Sequence, residues 1–378
     1  MPDILILGDT IRVPELRHEV PLAVPDALLY VERNGERHVV LTAFEVPRVE
    51  ELEGGLVAHP FEEFGRDELL AEGRDPDDVE LEVWLRACRA LGVEQAVAPP
   101  SFPLEVADRL RAEGVDVQAE RRLFVERRRV KTAAELEGIR RAQQAAQTAM
   151  GAAAAMLAAA EPDGDGLALD GEPLTCERVR AEVARVFTDN AAVADHIIVS
   201  HGAQTAIGHE EGFGPIAPDE PVLLDLFPRD TASGCFADMT RTFVVGSLSE
   251  ELATYQRLCR EALDSALAAI RPGVAGSELH RMVCELFHEH GFPTQLSKEP
   301  GSVLEDGFFH SLGHGVGLDV HERPSLGRGG APLVAGDVVA VEPGLYRAGY
   351  GGVRLEDLVL VTEDGAENLT DFPYDLRP

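Results

Sequence analysis

Four acidic residues occur within sequence segments that are otherwise apolar, and they constrain the fold of this 378-residue chain more than any other feature. The segments are PVLLDLF with Asp225, CFADMTRTFVV with Asp238, VVAVEPG with Glu342 and GVRLEDLVLV with Glu356. Short apolar runs of this kind predict buried strands. Because a buried carboxylate is costly without a neutralising partner, the fold has to bring positive charge to all four positions.

The basic residues near these carboxylates are too few to neutralise them, since only Arg241 and Arg354 lie close in sequence. The glycine-rich segment HSLGHGVGLDVHE adds three imidazoles, His310, His314 and His321. Four carboxylates and one neutral imidazole would surround two divalent cations with ligands that suit manganese or cobalt better than thiolate-selecting metals. Metal pairs in such sites lower the pKa of a bound water and stabilise a tetrahedral intermediate.

Each of these residues also has an ordinary explanation when it is taken alone. An acid at the end of a strand can be a turn residue, and most loop histidines are only hydrogen-bonded. Asp238 and Glu356 can each pair with the arginine next to them in sequence. We favour the metal interpretation because five such residues occur together.

The overall charge excludes several classes of partner. Lys and Arg total 34 against 67 Asp and Glu, which gives a formal net charge of −33. A surface this negative repels phosphate backbones and anionic lipids, so we expect no nucleic-acid partner and no membrane partner. Five scattered cysteines without a CxxC pair, and a first segment that lacks the features of a signal peptide, predict a reducing, cytoplasmic location.

Two domains are predicted, an N-terminal α/β domain of residues 1–127 and a catalytic domain of residues 128–378. In the first, the dipeptide Asn34-Gly35 between two apolar runs predicts a hairpin. The segments DVQAE and RLFVE look extended. The arginines at the domain boundary are interpreted as ion-pairing groups on an acidic protein, in preference to an anion site; they are Arg127, Arg128 and Arg129.

The second domain is predicted to contain four long helices, over 132–160, 176–190, 249–271 and 276–291. Thr132 and Glu135 have the spacing of a capping box at the start of the first one. The alanine-rich stretch 145–160 is too short and too weakly apolar for a membrane span and is interpreted as a packed helix.

Four segments in a fixed order resemble the metallopeptidase family with the pita-bread fold, which includes methionine aminopeptidase, aminopeptidase P and prolidase. They are LLDLFPRDTASGCFADMTRTF, SLGHGVGLDVHE, VVAVEPGLY and GGVRLED. The resemblance covers the C-terminal 250 residues, and the first third is more weakly similar to the creatinase-type domain of prolidases and aminopeptidases P. It implies an α+β fold, with a pita-bread catalytic domain and a smaller creatinase-type domain, and a homodimer.

The resemblance also implies roles for individual residues. The metal ligands would be Asp225, Asp238, His314, Glu342 and Glu356, holding two divalent ions, Mn²⁺ in the first place and Co²⁺ or Zn²⁺ as alternatives. The catalytic residues would be His209, His321 and Glu342, with His201 as a competitor for the position of His209. The substrate-binding residues would be His310, Tyr346 and Arg354, with Arg323 and Arg328 as further candidates for a substrate carboxylate, or as surface ion-pairing residues.

The sequence departs from the family pattern between the first two ligands. Phe227 replaces a common glycine, Phe236 replaces a tyrosine, and Asp238 follows Asp225 by 13 residues where about eleven are usual. We expect the loop PRDTASG to absorb the two additional residues as a longer hairpin. The change at Phe236 removes a hydroxyl that could contribute to metal affinity.

The resemblance implies hydrolysis of the bond between an N-terminal residue Xaa and a following proline in a short peptide. We favour an Xaa-Pro dipeptidase over an Xaa-Pro aminopeptidase that acts on longer peptides. Methionine aminopeptidases do not need the additional N-terminal domain. Creatinase-like hydrolases without metal, and binding proteins that have lost activity, usually replace several of the five ligand positions, which are all intact here.

Overall fold

The computed structural model describes residues 2–378, and the chain divides into two compact units between Arg128 and Arg129. Each unit has its own sheets, helices and buried apolar clusters. The identity of the first unit as a creatinase-type domain, predicted for residues 1–127, stays a prediction.

The first unit contains a six-stranded mixed sheet with helices connecting its strands. Its strands are β1 (Asp3–Gly8), β2 (Leu28–Arg33), β3 (Glu36–Leu41), β4 (Leu56–Pro60), β5 (Gln95–Ala98) and β6 (Asp116–Ala119), in the spatial order β4-β3-β2-β1-β5-β6. Its helices are α1 (Pro14–Glu19), α2 (Val46–Glu50), α3 (Arg66–Ala71), α4 (Pro76–Ala90), α5 (Leu104–Ala112) and α6 (Arg121–Arg129), with 3-10 turns at Ala43–Glu45 and Phe61–Phe64.

The predicted hairpin is confirmed, because β2 and β3 pair from Arg33 and Glu36 outward. The two turn residues have positive φ angles, 52° at Asn34 and 84° at Gly35, as the preferred two-residue hairpin turn requires. The prediction that RLFVE is extended was wrong, since this segment lies in α6. Its Phe124 is buried among apolar side chains while the arginines around it stay more exposed, so a helix separates these side chains better than a strand.

In the second unit, four long helices pack against antiparallel sheets. The helices are α7 (Ala133–Ala159), α8 (Cys176–Asp189), α9 (Glu250–Ala269) and α10 (Gly276–Glu289), with a 3-10 turn at Gly202–Ala206. The strands are β7 (Glu161–Asp163), β8 (Gly166–Leu169), β9 (Glu172–Pro173), β10 (Ala192–Val193), β11 (Ile198–His201), β12 (Pro221–Leu226), β13 (Arg229–Asp230), β14 (Met239–Val244), β15 (Gly313–Gly315), β16 (Glu322–Ser325), β17 (Val338–Val341), β18 (Gly344–Arg347), β19 (Gly351–Arg354), β20 (Asp357–Val361) and β21 (Ala366–Asn368).

Two of these sheets carry the acidic segments. One has the order β11-β12-β14, and the other has the order β16-β15-β17-β20-β21, while β18 and β19 form a separate two-stranded ribbon. The remaining strands form the three-stranded sheet β7-β8-β9 and the pair β10-β13.

The four predicted helices are confirmed to within two residues at each end. The hydroxyl of Thr132 accepts a hydrogen bond from the backbone N–H of Glu135, and the Glu135 carboxylate accepts one from the Thr132 N–H, so the capping box is present. The alanine-rich stretch of α7 packs against α8 and the first small sheet, with Ala145, Ala149 and Ala153 buried. None of the helices described for residues 2–378 is both long and apolar enough to cross a membrane.

The prediction that all four acidic residues lie within strands was correct only for Asp225, which lies in β12. Asp238 immediately precedes β14, Glu342 follows β17, and Glu356 lies between β19 and β20. A residue at the end of a strand lies beside the sheet, but it has no directly paired residue on the neighbouring strand. Carboxylates from different strands can therefore converge there.

Arg241 in β14 is the largest of the fully buried side chains. Its guanidinium donates to the Asp357 carboxylate at 2.9 Å and to the backbone oxygens of Glu356 and Pro373 at 2.8 Å each. The ring of Tyr374 lies 4.4 Å from the guanidinium carbon. Because Arg241 is committed to Asp357, it is not the partner that neutralises Asp238.

We predict that Arg241→Met destabilises the protein by about 3–5 kcal/mol, because it leaves the buried Asp357 carboxylate without its cation. Arg140→Met is the matched control, since Arg140 also makes a two-bonded ion pair with an acid, Glu367, but at the surface. The control should lose no more than about 1 kcal/mol. Chemical unfolding followed by circular dichroism measures both, and equal losses would contradict this account of the core.

Candidate metal centre

A cleft of about 210 Å³ in the second unit is lined by all ten residues that the sequence analysis favoured for a site, although not by the alternative candidates His201, Arg323 and Arg328. They are His209, Asp225, Asp238, His310, His314, His321, Glu342, Tyr346, Arg354 and Glu356. The structure thus brings together segments that are separated by up to 147 positions in the sequence, from 209 to 356. The individual catalytic, ligand and substrate roles of these residues stay predictions.

The two small sheets and the ribbon position these side chains. Asp225 in β12 lies opposite Thr240 in β14, and His314 in β15 lies opposite Ala340 in β17. The ribbon of β18 and β19 supplies Tyr346 and Arg354. Backbone pairing therefore fixes the positions from which most of these groups enter the cleft.

Three of these residues form a group that could hold a metal ion. Asp238, His314 and Glu356 each offer a ligand atom, and these atoms all lie within 4.8 Å of one another. The Nε2 atom of His314 lies 3.7 Å from Oδ2 of Asp238 and 3.9 Å from Oε1 of Glu342. Its Nδ1 atom is 3.1 Å from the Gly315 carbonyl oxygen, to which it donates. That bond leaves the Nε2 lone pair directed at the acids, as a metal ligand requires.

Two buried carboxylate oxygens in the cleft lack hydrogen-bond partners among the residues that the structure describes. They are Oδ1 of Asp225 and Oδ1 of Asp238. The Glu356 carboxylate accepts a hydrogen bond from the Thr240 hydroxyl at 2.6 Å. Since a buried acceptor without a donor is destabilising, the two free oxygens fit a site built for a cation.

Burial and the crowding of the acids also shift the pKa values of the residues in the cleft. Burial, followed by the charges of neighbouring acids, raises the pKa of Asp238 and of Glu356 well above the ordinary range. Burial likewise raises the pKa of Glu342 to about 7. Burial lowers the pKa of His314 to about 4, so this imidazole is neutral at pH 7. The acids hold their negative charge poorly unless a cation joins them.

Arg354 supplies the positive charge that one of these acids receives from the protein. Its guanidinium donates to Oδ2 of Asp225 at 2.5 Å and to the hydroxyl of Tyr346 at 3.2 Å. The Tyr346 hydroxyl in turn donates to Nε2 of His310 at 2.9 Å, while Nδ1 of His310 donates to the Ser311 carbonyl at 2.7 Å. These bonds fix one wall of the cleft.

The opposite wall carries the other two imidazoles. The ring of His321 lies 4.3 Å from that of His314 and 6.3 Å from that of His209. His209 has a positive φ angle of 62°, a conformation that few residues other than glycine adopt. His201, the competitor for the position of His209, does not line the cleft, and its Nδ1 lies 3.0 Å from the Glu220 carboxylate.

The sequence departures are accommodated as expected. The additional residues between the two aspartates form a short hairpin, closed by the pairing of Arg229 with Phe236, and the register of Asp225 with Thr240 is intact. Phe227 lines the cleft, whereas Phe236 does not. Arg323 and Arg328, the further candidates for a substrate carboxylate, also lie outside the cleft lining.

The sequence interpretation missed several residues that shape the site. Phe309 and Val320 line the cleft beside predicted histidines, and the Phe309 ring lies 4.7 Å from the ring of Tyr346. Thr240, which holds Glu356, carried no signal because a threonine in a strand is ordinary. Phe309 and Val320 could have been found from their positions next to His310 and His321.

Comparison with known proteins assigns this acidic, histidine-containing cleft to a class of metallopeptidase. The pattern of metallopeptidase family M24 matches residues 137–363, and the chain belongs to this family. The sequence is 40% identical over 141 residues to the Xaa-Pro dipeptidase of Pyrococcus furiosus, covering 37% of each protein. It is 31% identical over 220 residues to the probable dipeptidase PepE of Mycobacterium tuberculosis, covering 53% of this chain and 55% of the relative. The matched segments thus span about two fifths to just over half the length of these curated relatives.

Solved structures resemble the whole chain. The prolidase from Pyrococcus horikoshii superposes with a TM-score of 0.76 at 23% identity, over 100% of this chain and 95% of the other. The Xaa-Pro dipeptidase from Bacillus anthracis gives a TM-score of 0.77 at 22% identity, over 99% and 94%. The X-Pro aminopeptidase from Thermotoga maritima gives 0.76 at 20% identity, over 98% and 96%. The predicted α+β pita-bread fold is confirmed.

We predict that Asp238→Asn stabilises the metal-free protein, because it removes one of four crowded negative charges. The melting temperature should rise by about 2–4 °C for each kcal/mol of repulsion relieved. With added Mn²⁺ the wild type should melt at the higher temperature, because the metal should raise the melting temperature of the wild type far more than that of the variant.

The control for this experiment is Asp364→Asn, at an exposed position, which should change neither value. A variant that melts below the metal-free wild type, or that gains as much from Mn²⁺ as the wild type does, would exclude Asp238 from the metal site.

Proposed function

We propose that the protein is an Xaa-Pro dipeptidase that hydrolyses the bond between an N-terminal residue and proline. The observation that carries the proposal is the convergence of Asp225, Asp238, His314, Glu342 and Glu356 on one small cleft. Metal-free creatinase-like hydrolases and inactive binding proteins usually lack several of these side chains. The similarity to an Xaa-Pro dipeptidase and to the probable dipeptidase PepE agrees with a dipeptidase.

The donor set fits two divalent ions. It offers four carboxylates and one neutral imidazole, and two of its oxygens have no hydrogen-bond partner within residues 2–378. Oxygen-rich sets of this kind suit Mn²⁺, with Co²⁺ or Zn²⁺ as alternatives. When bound, such ions activate a water molecule for attack and polarise the peptide carbonyl.

The residues of the chain supply the proton transfers and the electrostatic stabilisation. One oxygen of the Glu342 carboxylate accepts a proton from the attacking water. The carboxyl group then passes this proton to the proline nitrogen as the C–N bond breaks. The His321 imidazole donates a hydrogen bond to the carbonyl oxygen as negative charge develops there. His209, whose ring lies 6.3 Å from that of His321, would face the scissile bond.

The wall of the cleft that contains Arg354, Tyr346 and His310 is suited to a short peptide. Arg354, which also pairs with Asp225, lies in the cleft lining where it would bind the carboxylate of a dipeptide, and the hydrogen bonds of Tyr346 and His310 hold its position. The rings of Phe309 and Phe227 add apolar surface suited to a proline ring. We favour a dipeptidase over an Xaa-Pro aminopeptidase because Arg354, in the cleft lining, would meet the carboxylate that a dipeptide carries on its proline. The homodimer and the cytoplasmic location remain part of the proposal.

The proposal predicts that the protein loaded with Mn²⁺ cleaves Ala-Pro at least about tenfold faster, as kcat/KM, than Ala-Pro-Ala, because only the dipeptide carries its carboxylate directly on the proline, beside Arg354. Ala-Ala is the control for proline specificity and should be cleaved more slowly than Ala-Pro. Release of free proline or alanine measures all three reactions. Faster cleavage of Ala-Pro-Ala would assign the protein to the aminopeptidases, and no cleavage of any of them would contradict the proposal.

A further inference from the structure

Lysine is rare in this protein, and one of its two lysines is buried. Among 34 basic residues, only Lys131 and Lys298 are lysines. The side chain of Lys131 is 2% exposed, whereas Lys298 is only partly buried. A buried ammonium is costly unless an acid and further hydrogen bonds compensate for its lost hydration. Its location therefore indicates a specific role.

The ammonium of Lys131 forms an ion pair with the carboxylate of Glu322, whose side chain is 7% exposed. Lys131 immediately precedes Thr132, the residue that caps α7, so its backbone is held at the start of a long helix. Glu322 immediately follows His321 and begins β16. The pair thus connects a rigid helix start to the residue next to an imidazole of the cleft.

The Glu322 carboxylate also closes the loop that carries His321. A Cβ atom on Gly317 would lie 2.7 Å from one Glu322 carboxylate oxygen and 2.9 Å from the other, so this carboxylate packs directly on the glycine backbone. The Gly317 carbonyl accepts a hydrogen bond from the N–H of Phe236 at 2.8 Å, two residues before Asp238. The loop from 317 to 322 is therefore held at both ends.

We infer that Lys131 is a positioning residue for His321 and acts through Glu322. The inference rests on the proposed function, in which His321 donates to the developing oxyanion. Such a hydrogen bond contributes to the rate only when the donor is held close to its required position. A compact ammonium suits so enclosed a place better than the broad guanidinium used at most other basic positions.

The test compares Lys131→Met with the matched control Lys298→Met, which removes the other lysine. With Ala-Pro as substrate, Lys131→Met should lower kcat by about 10–100-fold with little change in KM, and the control should keep both values. On a His321→Ala background, Lys131→Met should lower kcat no further. An equal loss with and without His321, or no loss in the wild-type background, would overturn the inference.

Glu322→Gln provides a second variant if Lys131→Met folds poorly, because glutamine keeps the size of the side chain and an acceptor for the ammonium. It should lower kcat in the same His321-dependent way, by a smaller factor. A loss that persists on the His321→Ala background would overturn the inference here too.

Hydrogen exchange separates this inference from the proposed function. Lys131→Met should speed amide exchange in the peptide that covers residues 316–323, while Lys298→Met should not. If the wild type cleaves no Xaa-Pro peptide, the proposed function fails, yet the exchange result still reports whether Lys131 holds the loop. Unchanged exchange in Lys131→Met would overturn the inference independently of activity.

Discussion

The crowding of four acidic side chains around a protein cation, Arg354, is the constraint on which the second unit depends. Asp225 forms an ion pair with Arg354, whereas burial and the neighbouring acids raise the pKa of Asp238 and of Glu356. Arg241, which is close in sequence, is bound to Asp357 instead. The fold thus concentrates negative charge that its own basic residues do not balance, and divalent cations are the natural complement.

The architecture makes this concentration possible by using strand ends. Each sheet contributes acids from neighbouring strands whose backbone groups are already paired, so the carboxylates converge without breaking a ladder. The capped α7 and the Lys131–Glu322 pair then hold the loop that carries His321. Rigid elements support both the acids and the imidazoles, which is what an electrostatic catalyst requires.

The residues of the site could be predicted from the sequence better than their arrangement in space could. Charged residues within apolar runs, such as Asp225, stand out because burial makes them improbable, and family order then assigns roles. The strand-end positions of Asp238 and Glu356 could not be read from apolar runs, because a run does not mark where pairing stops. Thr240 and Lys131 gave no signal, since their importance arises from neighbours more than 100 positions away. RLFVE was misassigned because three apolar residues between two charged ones fit a strand and a helix equally well.

The central claim is that the crowded acids hold two divalent ions. Its most direct test is a crystal of the protein loaded with Mn²⁺, with anomalous scattering recorded at the manganese edge. The account predicts two peaks in the cleft, one within ligand distance of His314 and Glu342 and the other within ligand distance of Asp225, with Asp238 and Glu356 within ligand distance of both. No peak in the cleft at saturating Mn²⁺, with the four carboxylates still buried together, would contradict the account.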